Sequence, residues 1–487
     1  MSNIRVNAIT DEAGTGAPDF PNGYTVAGAV PAAPESGVQT FTATGALANG
    51  DLVGLNPDGT VSVVSPYSLQ TTNANAVAST WVTSTFDTLN NKVVTFYVDT
   101  ATGYFYSVVG TISGSTISFG TPVVVLSSNS GYSSCTFDTL NNKVVVAVWD
   151  GTAAIAKAFV GTVSGTTISF GAVSTISSGG QWPVLTFDSI NNKVVVLYKM
   201  SASPYQVYSK VGTVSGTTIS FGTQATAGGF ATNGPTNITF SAATGKVVGL
   251  YVDVTTTLPN LVVGTVSGTT ISYGTPVALP NCNDSYASIA YDNTTGSVVA
   301  TCSTAVGYVF LVCTISGTSI SFGIASAPIS FGGYVSYPKL IGVGNGTFVY
   351  AAYRSGFFYK VIIKTDGVLA TPVLASKVEG YGSQIQLGLA FDPVNKLAVV
   401  SYRGPNPFYL TSDLVNPFSP TLTWVGVAAE AIANGASGKV TTTGGINSGQ
   451  TGLTTGAPYG YNTDTGAFIV GGDNLGYAIS PTQLYIK

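Results

Sequence analysis

Residues 85–94 read Thr-Phe-Asp-Thr-Leu-Asn-Asn-Lys-Val-Val, and residues 109–120 read Val-Gly-Thr-Ile-Ser-Gly-Ser-Thr-Ile-Ser-Phe-Gly. The pair recurs. The first half returns at Phe137-Asp138, Phe187-Asp188, Phe240-Ser241, Tyr291-Asp292, a degenerate Ile341-Gly342, and Phe391-Asp392, in steps of 50 to 53 residues. The second half returns at Gly161-Thr162, Gly212-Thr213, Gly264-Thr265 and Cys313-Thr314. A fixed period of this length is the mark of a repeat architecture, and it outranks every other signal in the chain.

Each unit carries four short β-signals separated by turn chemistry. One strand runs into Phe-Asp. Asn90-Asn91 and its equivalents, or Thr244-Gly245, form a tight turn, because Asn and Gly tolerate a positive φ. Lys92 to Tyr97 begins a second strand, a third ends at Ser113-Gly114, and Thr116-Ile117-Ser118-Phe119 begins a fourth. Seven such meanders in a row predict an all-β fold, a seven-bladed β-propeller of about fifty-residue four-stranded repeats. Residues 54–63, Gly-Leu-Asn-Pro-Asp-Gly-Thr-Val-Ser-Val, echo the third-to-fourth-strand hairpin. They are open to two readings: a strand that closes the ring, or part of a flanking domain.

Composition narrows the chemistry. Histidine is absent from the 487 residues, which removes Ser-His-Asp and Cys-His catalysis and the usual zinc sites. There are four glutamates (Glu12, Glu35, Glu379, Glu430) and three arginines (Arg5, Arg354, Arg403). With 17 basic and 21 acidic residues, the chain has no electrostatic footprint for nucleic acid. Its apolar residues alternate with polar ones and never run uninterrupted for a span, so membrane insertion is not expected. The opening Met-Ser-Asn-Ile-Arg-Val has no apolar core and does not read as a secretory signal. Glycine and proline together make up about 17 % of the chain, below the level that marks low-complexity disorder.

The flanks differ from the repeats. Residues 48–62, ANGDLVGLNPDGTVS, and 424–456, WVGVAAEAIANGASGKVTTTGGINSGQTGLTTG, together resemble a small β-domain of bacteriophage virion proteins, especially tail fibres. Residues 6–23, VNAITDEAGTGAPDFPNG, resemble the N-terminal virion-attachment leader of phage tail fibres. The resemblance covers about 130 residues at the two ends and implies a propeller inserted in, or flanked by, one small β-domain. The domains expected are an attachment arm at 1–37, a first part of the small domain or closing strand at 38–66, the propeller at 67–420, and the remainder of the small domain at 421–487. The function implied is that of a non-enzymatic structural protein of a virion, a tail-fibre or appendage subunit assembled in the host cytoplasm. It would dock on other virion proteins through the arm and form a homo-oligomer, by resemblance a trimer. The propeller would meet a host-surface glycan. A capsid decoration, head-fibre or tail-structural protein whose propeller only packs is the alternative, and a virion-bound glycan depolymerase is a third.

Candidate sites follow from the repeat. Asp87, Asp138, Asp188, Asp292 and Asp392 stand at equivalent points, where a calcium ring competes with the simpler reading that each carboxylate accepts from its own turn. No metal and no cofactor is expected. Lys92, Lys143, Lys193, Lys246 and Lys396 read as solubilising edge charges. Cys302 and Cys313 flank one loop and are expected opposite each other, as two buried thiols or as a cross-strand disulfide. The first-to-second and third-to-fourth turns hardly vary among units, while the second-to-third and inter-unit loops vary strongly, which predicts one uniform face and one recognition face. On the variable face Trp81, Tyr132, Trp182 and Tyr286 lie five residues before the anchor, with Phe230, Tyr334, Tyr337 and Tyr381 nearby. Asp99, Asp150 and Asp253 lie thirteen residues beyond it, and Arg354 and Arg403 nearly so. Aromatic rings there suit stacking on sugars, with Asp99, Asp150, Arg354 and Arg403 as hydrogen-bonding groups. The competing reading is that the rings pack between blades. Carboxylates on separate blades with no glutamate beside them are a poor fit to glycoside hydrolysis. Trp182, between Gly179-Gly180-Gln181 and Pro183, is the strongest recognition candidate, and its loss is then expected to weaken adsorption without lowering the melting temperature.

Overall fold

The computed structural model describes residues 37–487 except 56–58, 64–67, 115, 231–236, 283–285, 332–334, 355–356, 380–386, 405–407, 418–423, 456, 463–466, 471–474 and 487. The expected attachment arm therefore lies, but for Gly37, outside the described residues. Among the described residues every regular element is a β-strand. The chain divides into two compact units. One is Tyr67–Phe418, and the other is built from Met1–Pro66 together with Ser419–Lys487.

The larger unit is made of consecutive antiparallel meanders. In the first, strand Ser68–Asp87 ends against Lys92–Asp99, which pairs Phe105–Ser113, which pairs Thr116–Phe119. One register row crosses all four strands: Phe86, Val93, Gly110, Phe119. The same row recurs as Phe137, Val144, Gly161, Phe170 and as Phe187, Val194, Gly212, Phe221. Its glycine is dictated by packing. A Cβ on Gly161 would stand 2.6 Å from Cδ1 of Ile168 and 2.8 Å from the Phe170 ring, because the fourth strand folds those side chains over the third. A second glycine follows the fourth strand in each of the first five units for a different reason. A Cβ on Gly120 or Gly171 would lie 2.1 or 2.0 Å from the carbonyl oxygen of Thr166 or Thr217 in the next unit, so neighbouring rims touch backbone to backbone.

The central strands are buried on both faces, and period-two alternation sends their side chains into two different cores. Val144, Val146 and Val148 join Phe96, Phe105 and Phe159, whereas Val145 and Ala147 join Leu185, Val196 and Tyr198. Sheet packs on sheet in this way along the chain. The first strands also border one another in chain order, and Gly388–Asp392 borders Ser68–Asp87 again, so the sequence of sheets returns to its start. This is a β-propeller arrangement.

Closure is made by strand Ser68–Asp87 alone. Its beginning pairs Tyr409–Val415 as the outer strand of the last sheet, with Thr72 opposite Ser412, and its end is the inner strand of the first sheet. Residues 54–63 do not close the ring. Leu52–Leu55 and Val61–Val63 belong to the other unit, in a sheet ordered Val38–Thr42, Ser437–Thr441, Trp424–Ala428, Leu52–Leu55, Val61–Val63. The reason is burial. Val53 and Val61 complete a core with Ala43, Leu47, Ala428, Ile432 and Val440, and Leu52 joins Val427, Tyr459, Leu484 and Ile486 over a second sheet.

The cysteine expectation is corrected. Cys302 pairs with Val309 and Cys313 with Val298, so the two are displaced along the strands and cannot meet. Cys302 instead forms a disulfide with Cys282, which arrives from the preceding inter-unit loop. Cys313 is a buried thiol at the place where other units carry the covered glycine.

Candidate functional site

Four of the five acidic turns are self-contained, while Asp292 accepts both from the Thr294 N–H of its own turn and from the Gly346 N–H of the next unit. The Asp138 carboxylate accepts from the backbone N–H of Leu140 and Asn141 and from the Asn141 side-chain amide at 2.8–3.0 Å. Asp87, Asp188 and Asp392 repeat the pattern. Among the described residues no group of acidic or sulfur side chains is gathered as a metal site. The adjoining lysines also have structural contacts: Lys92 Nζ donates to Thr111 Oγ1 and Lys246 Nζ to Thr265 Oγ1, each at 2.8 Å, tying second strand to third.

At the other end of the first strands the register slips. The pairing skips between Thr80 and Thr83, between Gln181 and Val184, and between Ser336 and Lys339, the signature of a bulge. The bulged residues are Trp81, Trp182 and Tyr337, with Tyr132 in the same place in the second unit, and their φ angles are +52°, +54°, +48° and +43°. A large side chain in the left-handed region costs of order 1 kcal/mol or more, so each position is held by what surrounds it.

What surrounds each ring is the others. Trp81 and Tyr132 have ring centroids 4.2 Å apart, and Tyr132 stacks on Trp182 at 4.2 Å and 22°. Tyr337 lies 6.0 Å from Trp81, 6.3 Å from Trp182 and 5.9 Å from Tyr286. These residues come from units that are not all neighbours in the cycle, so the rings converge over the axis of the ring of sheets. Trp182 is 8 % exposed, and Trp81, Tyr132, Tyr286 and Tyr337 are half-buried. Burial, with the Tyr286 and Tyr132 hydroxyls nearby, pushes the Tyr337 phenol up to about 12. Lys199, buried beside the cluster, holds its ammonium 5.7 Å from the Trp182 ring and 5.2 Å from that of Tyr205, and burial lowers its pKa.

The four expected aromatic residues are thus brought together, with most of their faces turned on each other. Tyr337 belongs to the same set. Strand pairing puts Gly342, opposite Phe348, at the anchor position where Phe86 stands opposite Val93, so the sequence anchor Ile341 is one residue early. Aligning on the second strand rather than the anchor finds Tyr337. Tyr334 and Tyr381 lie outside the described residues, as does the side chain of Phe230.

The polar candidates do not join the rings. Asp99 accepts from the Ala101 N–H and the Thr102 hydroxyl, and Asp253 from the N–H groups of Thr255 and Thr256. Asp150 caps its loop through Thr152 and Ala153 and pairs with Lys157 at 2.5 Å. Burial works to raise its pKa, but the Lys157 and backbone hydrogen bonds prevail and hold it below its ordinary value. Arg354 donates to the Phe331 carbonyl, and the Arg403 guanidinium lies 4.2 Å over the Phe408 ring. Each is a loop-holding group.

No protein-family model matches the sequence, and no curated protein matches it. Solved structures match only as distant likenesses. AofleA from Arthrobotrys oligospora covers 70 % of this chain and 100 % of its own at 9 % identity and a TM-score of 0.40. The Cps50 (Swd1) β-propeller domain of Myceliophteria thermophila covers 70 % and 99 % at 8 % identity and 0.44. A 6-phosphogluconolactonase-like protein of Bacteroides uniformis covers 70 % and 97 % at 8 % identity and 0.45.

Proposed function

We propose that this chain is a non-enzymatic structural protein of a bacteriophage virion, a tail-fibre or related appendage subunit. Its larger unit is read as a seven-bladed propeller displayed toward a host-surface glycan, with residues 1–37 as the arm that docks on the particle. The observation that carries the reading is the pair of flanking segments, ANGDLVGL and WVGVAAEAIANG, whose fibre-like sequences fold together into one sheet around a long insertion. The cycle of seven first strands supports the blade count. The commitment of Asp99, Asp150 and Asp253 to their own loops supports binding over hydrolysis. Two assays test the reading. Purified protein is expected to compete with phage for adsorption to host cells, and host capsular polysaccharide incubated with it is expected to stay intact. Release of reducing ends would overturn the non-enzymatic assignment. By resemblance to fibres the subunit is a homotrimer, and a monodisperse monomer by light scattering would count against that.

One observation favours the alternative of a decoration or tail-structural protein. On the uniform turn face Val394, Leu89, Leu140 and Ile190 stand at equivalent positions of four consecutive sheets, 64, 60, 58 and 56 % exposed. A row of aliphatic side chains of this kind suits packing against a neighbour. Electron microscopy of labelled particles separates the two: label at the tail tip supports the fibre, and label over the capsid the decoration.

A further inference from the structure

We propose that the axial channel holds, at its turn-face end, a binding site for an uncharged polyhydroxylated molecule, a neutral monosaccharide. The inference does not depend on the virion reading, and the site lies at the opposite end of the first strands from the aromatic cluster. There a cavity of about 620 Å³ reaches the turn face, where Thr88 and Pro393 form its rim. Its lining comes from the first, second, fifth, sixth and seventh units and contains no charged side chain. The repeat explains why the cavity exists. Strand register sets Gly342 of the sixth unit where Phe86, Phe137 and Phe391 stand in the first, second and seventh. No ring fits there, because a Cβ on Gly342 would lie 2.2 Å from the Tyr291 carbonyl oxygen. The sixth unit also turns on two residues, Asn345 and Gly346, where the first unit uses four, 88–91. A missing ring and a shorter turn leave the mouth open on that side.

The walls set the chemistry. The position before the anchor is Thr85 and Thr136 in the first two units, and Ile341 and Ala390 in the sixth and seventh. Hydroxyls therefore line one arc of the cavity and aliphatic groups the next. The hydroxyls of Thr85 and Thr136 hydrogen-bond to no other described residue. Over these residues each first strand pairs on one side only, with its second strand, so the edge it turns to the axis has no ladder partner. In an antiparallel pair alternate residues aim their N–H and C=O away from the partner. At least one residue each of Ser84-Thr85-Phe86, Cys135-Thr136-Phe137 and Leu389-Ala390-Phe391 therefore offers a donor and an acceptor to the channel. An ion here would lose water without gaining a counter-charge. A hydrocarbon would leave the donors and acceptors unsatisfied. A sugar meets both walls: its hydroxyls donate and accept, and its C–H faces suit the aliphatic arc and the Phe86 and Phe137 rings. The volume is that of an ordinary small-ligand site.

Saturation-transfer NMR of the full chain is run with glucose, galactose and mannose, each beside its uronate. Saturable binding of at least one of the three, with its uronate weaker by about tenfold or more, supports the site. Thr85→Val and Thr136→Val keep the shape of the wall. Each should lower that affinity a few fold, and the two together about tenfold. Location is read without any variant from Cys135, a thiol in the lining. Its modification by methyl methanethiosulfonate, mapped by mass spectrometry, should slow about tenfold at a sugar concentration ten times Kd. Modification of Cys313, outside the lining, should not change. Absence of saturable binding by all three sugars, a uronate bound as tightly, an unchanged affinity in the folded double variant, or Cys135 modification indifferent to the sugar would each overturn the proposal.

Discussion

Trp182 shows how much a residue's role depends on its neighbours. Read in sequence, an indole between glycines and proline is a recognition side chain. In the fold it is 8 % exposed, stacked on Tyr132 and faced by Lys199. Its removal therefore strikes the core. Trp182→Ala is expected to destabilise the larger unit by about 3 kcal/mol or more, read as a lower urea midpoint at unchanged slope. Trp182→Gly is expected to be no worse than alanine, against the usual order, because φ is +54° there and glycine relieves the left-handed strain. A midpoint unchanged in both variants would return the ring to a surface role.

At the scale of elements, the acidic turn is a unit with its own energetics. In Asp138→Ala two backbone N–H groups and the Asn141 amide lose their acceptor, and the loss expected is about 1–3 kcal/mol in the same urea assay. Asp138→Asn should cost less, since one oxygen still accepts from the backbone while the amide nitrogen meets a second donor. The loop that carries Cys282 is a second such element. It brings Cys282 to Cys302, and Cys135 and Cys313 remain thiols. Alkylation in denaturant without reductant is therefore expected to add two labels, and four after reduction, as measured by intact mass. Four labels without reductant would show the bridge is not formed. The turn was legible in sequence because Asp, Asn and Gly act on backbone within three residues. The bridge was not, because Cys282 sits in an inter-unit loop whose path toward Cys302 no local rule sets.

For the whole molecule, the ring depends on one strand that serves two sheets. Adjacent prolines at Thr71 and Thr72 remove at least one N–H from the ladder with Tyr409–Val415, whichever of the two points inward. The melting temperature of the larger unit should fall by at least about 5 °C. No fall would show that the ring closes elsewhere. Residues 54–63 looked equally fit for this task, since a hairpin motif records only that two strands will pair. Their partner was chosen by Val53 and Val61, which complete the core of the flanking sheet.

The sequence by itself determined the all-β class, the period of the meanders and the chemistry of their turns. These rest on short-range patterns: alternation sets the faces of a strand, and Asn or Gly sets a positive φ. It also marked Trp81, Tyr132, Trp182 and Tyr286 as one equivalent set. Only the tertiary structure decided that those rings meet and that Tyr337 joins them one residue off the repeat. Each of these facts depends on distance across the axis, between strands hundreds of residues apart. Circular packing creates such distances, and no periodicity along the chain encodes them.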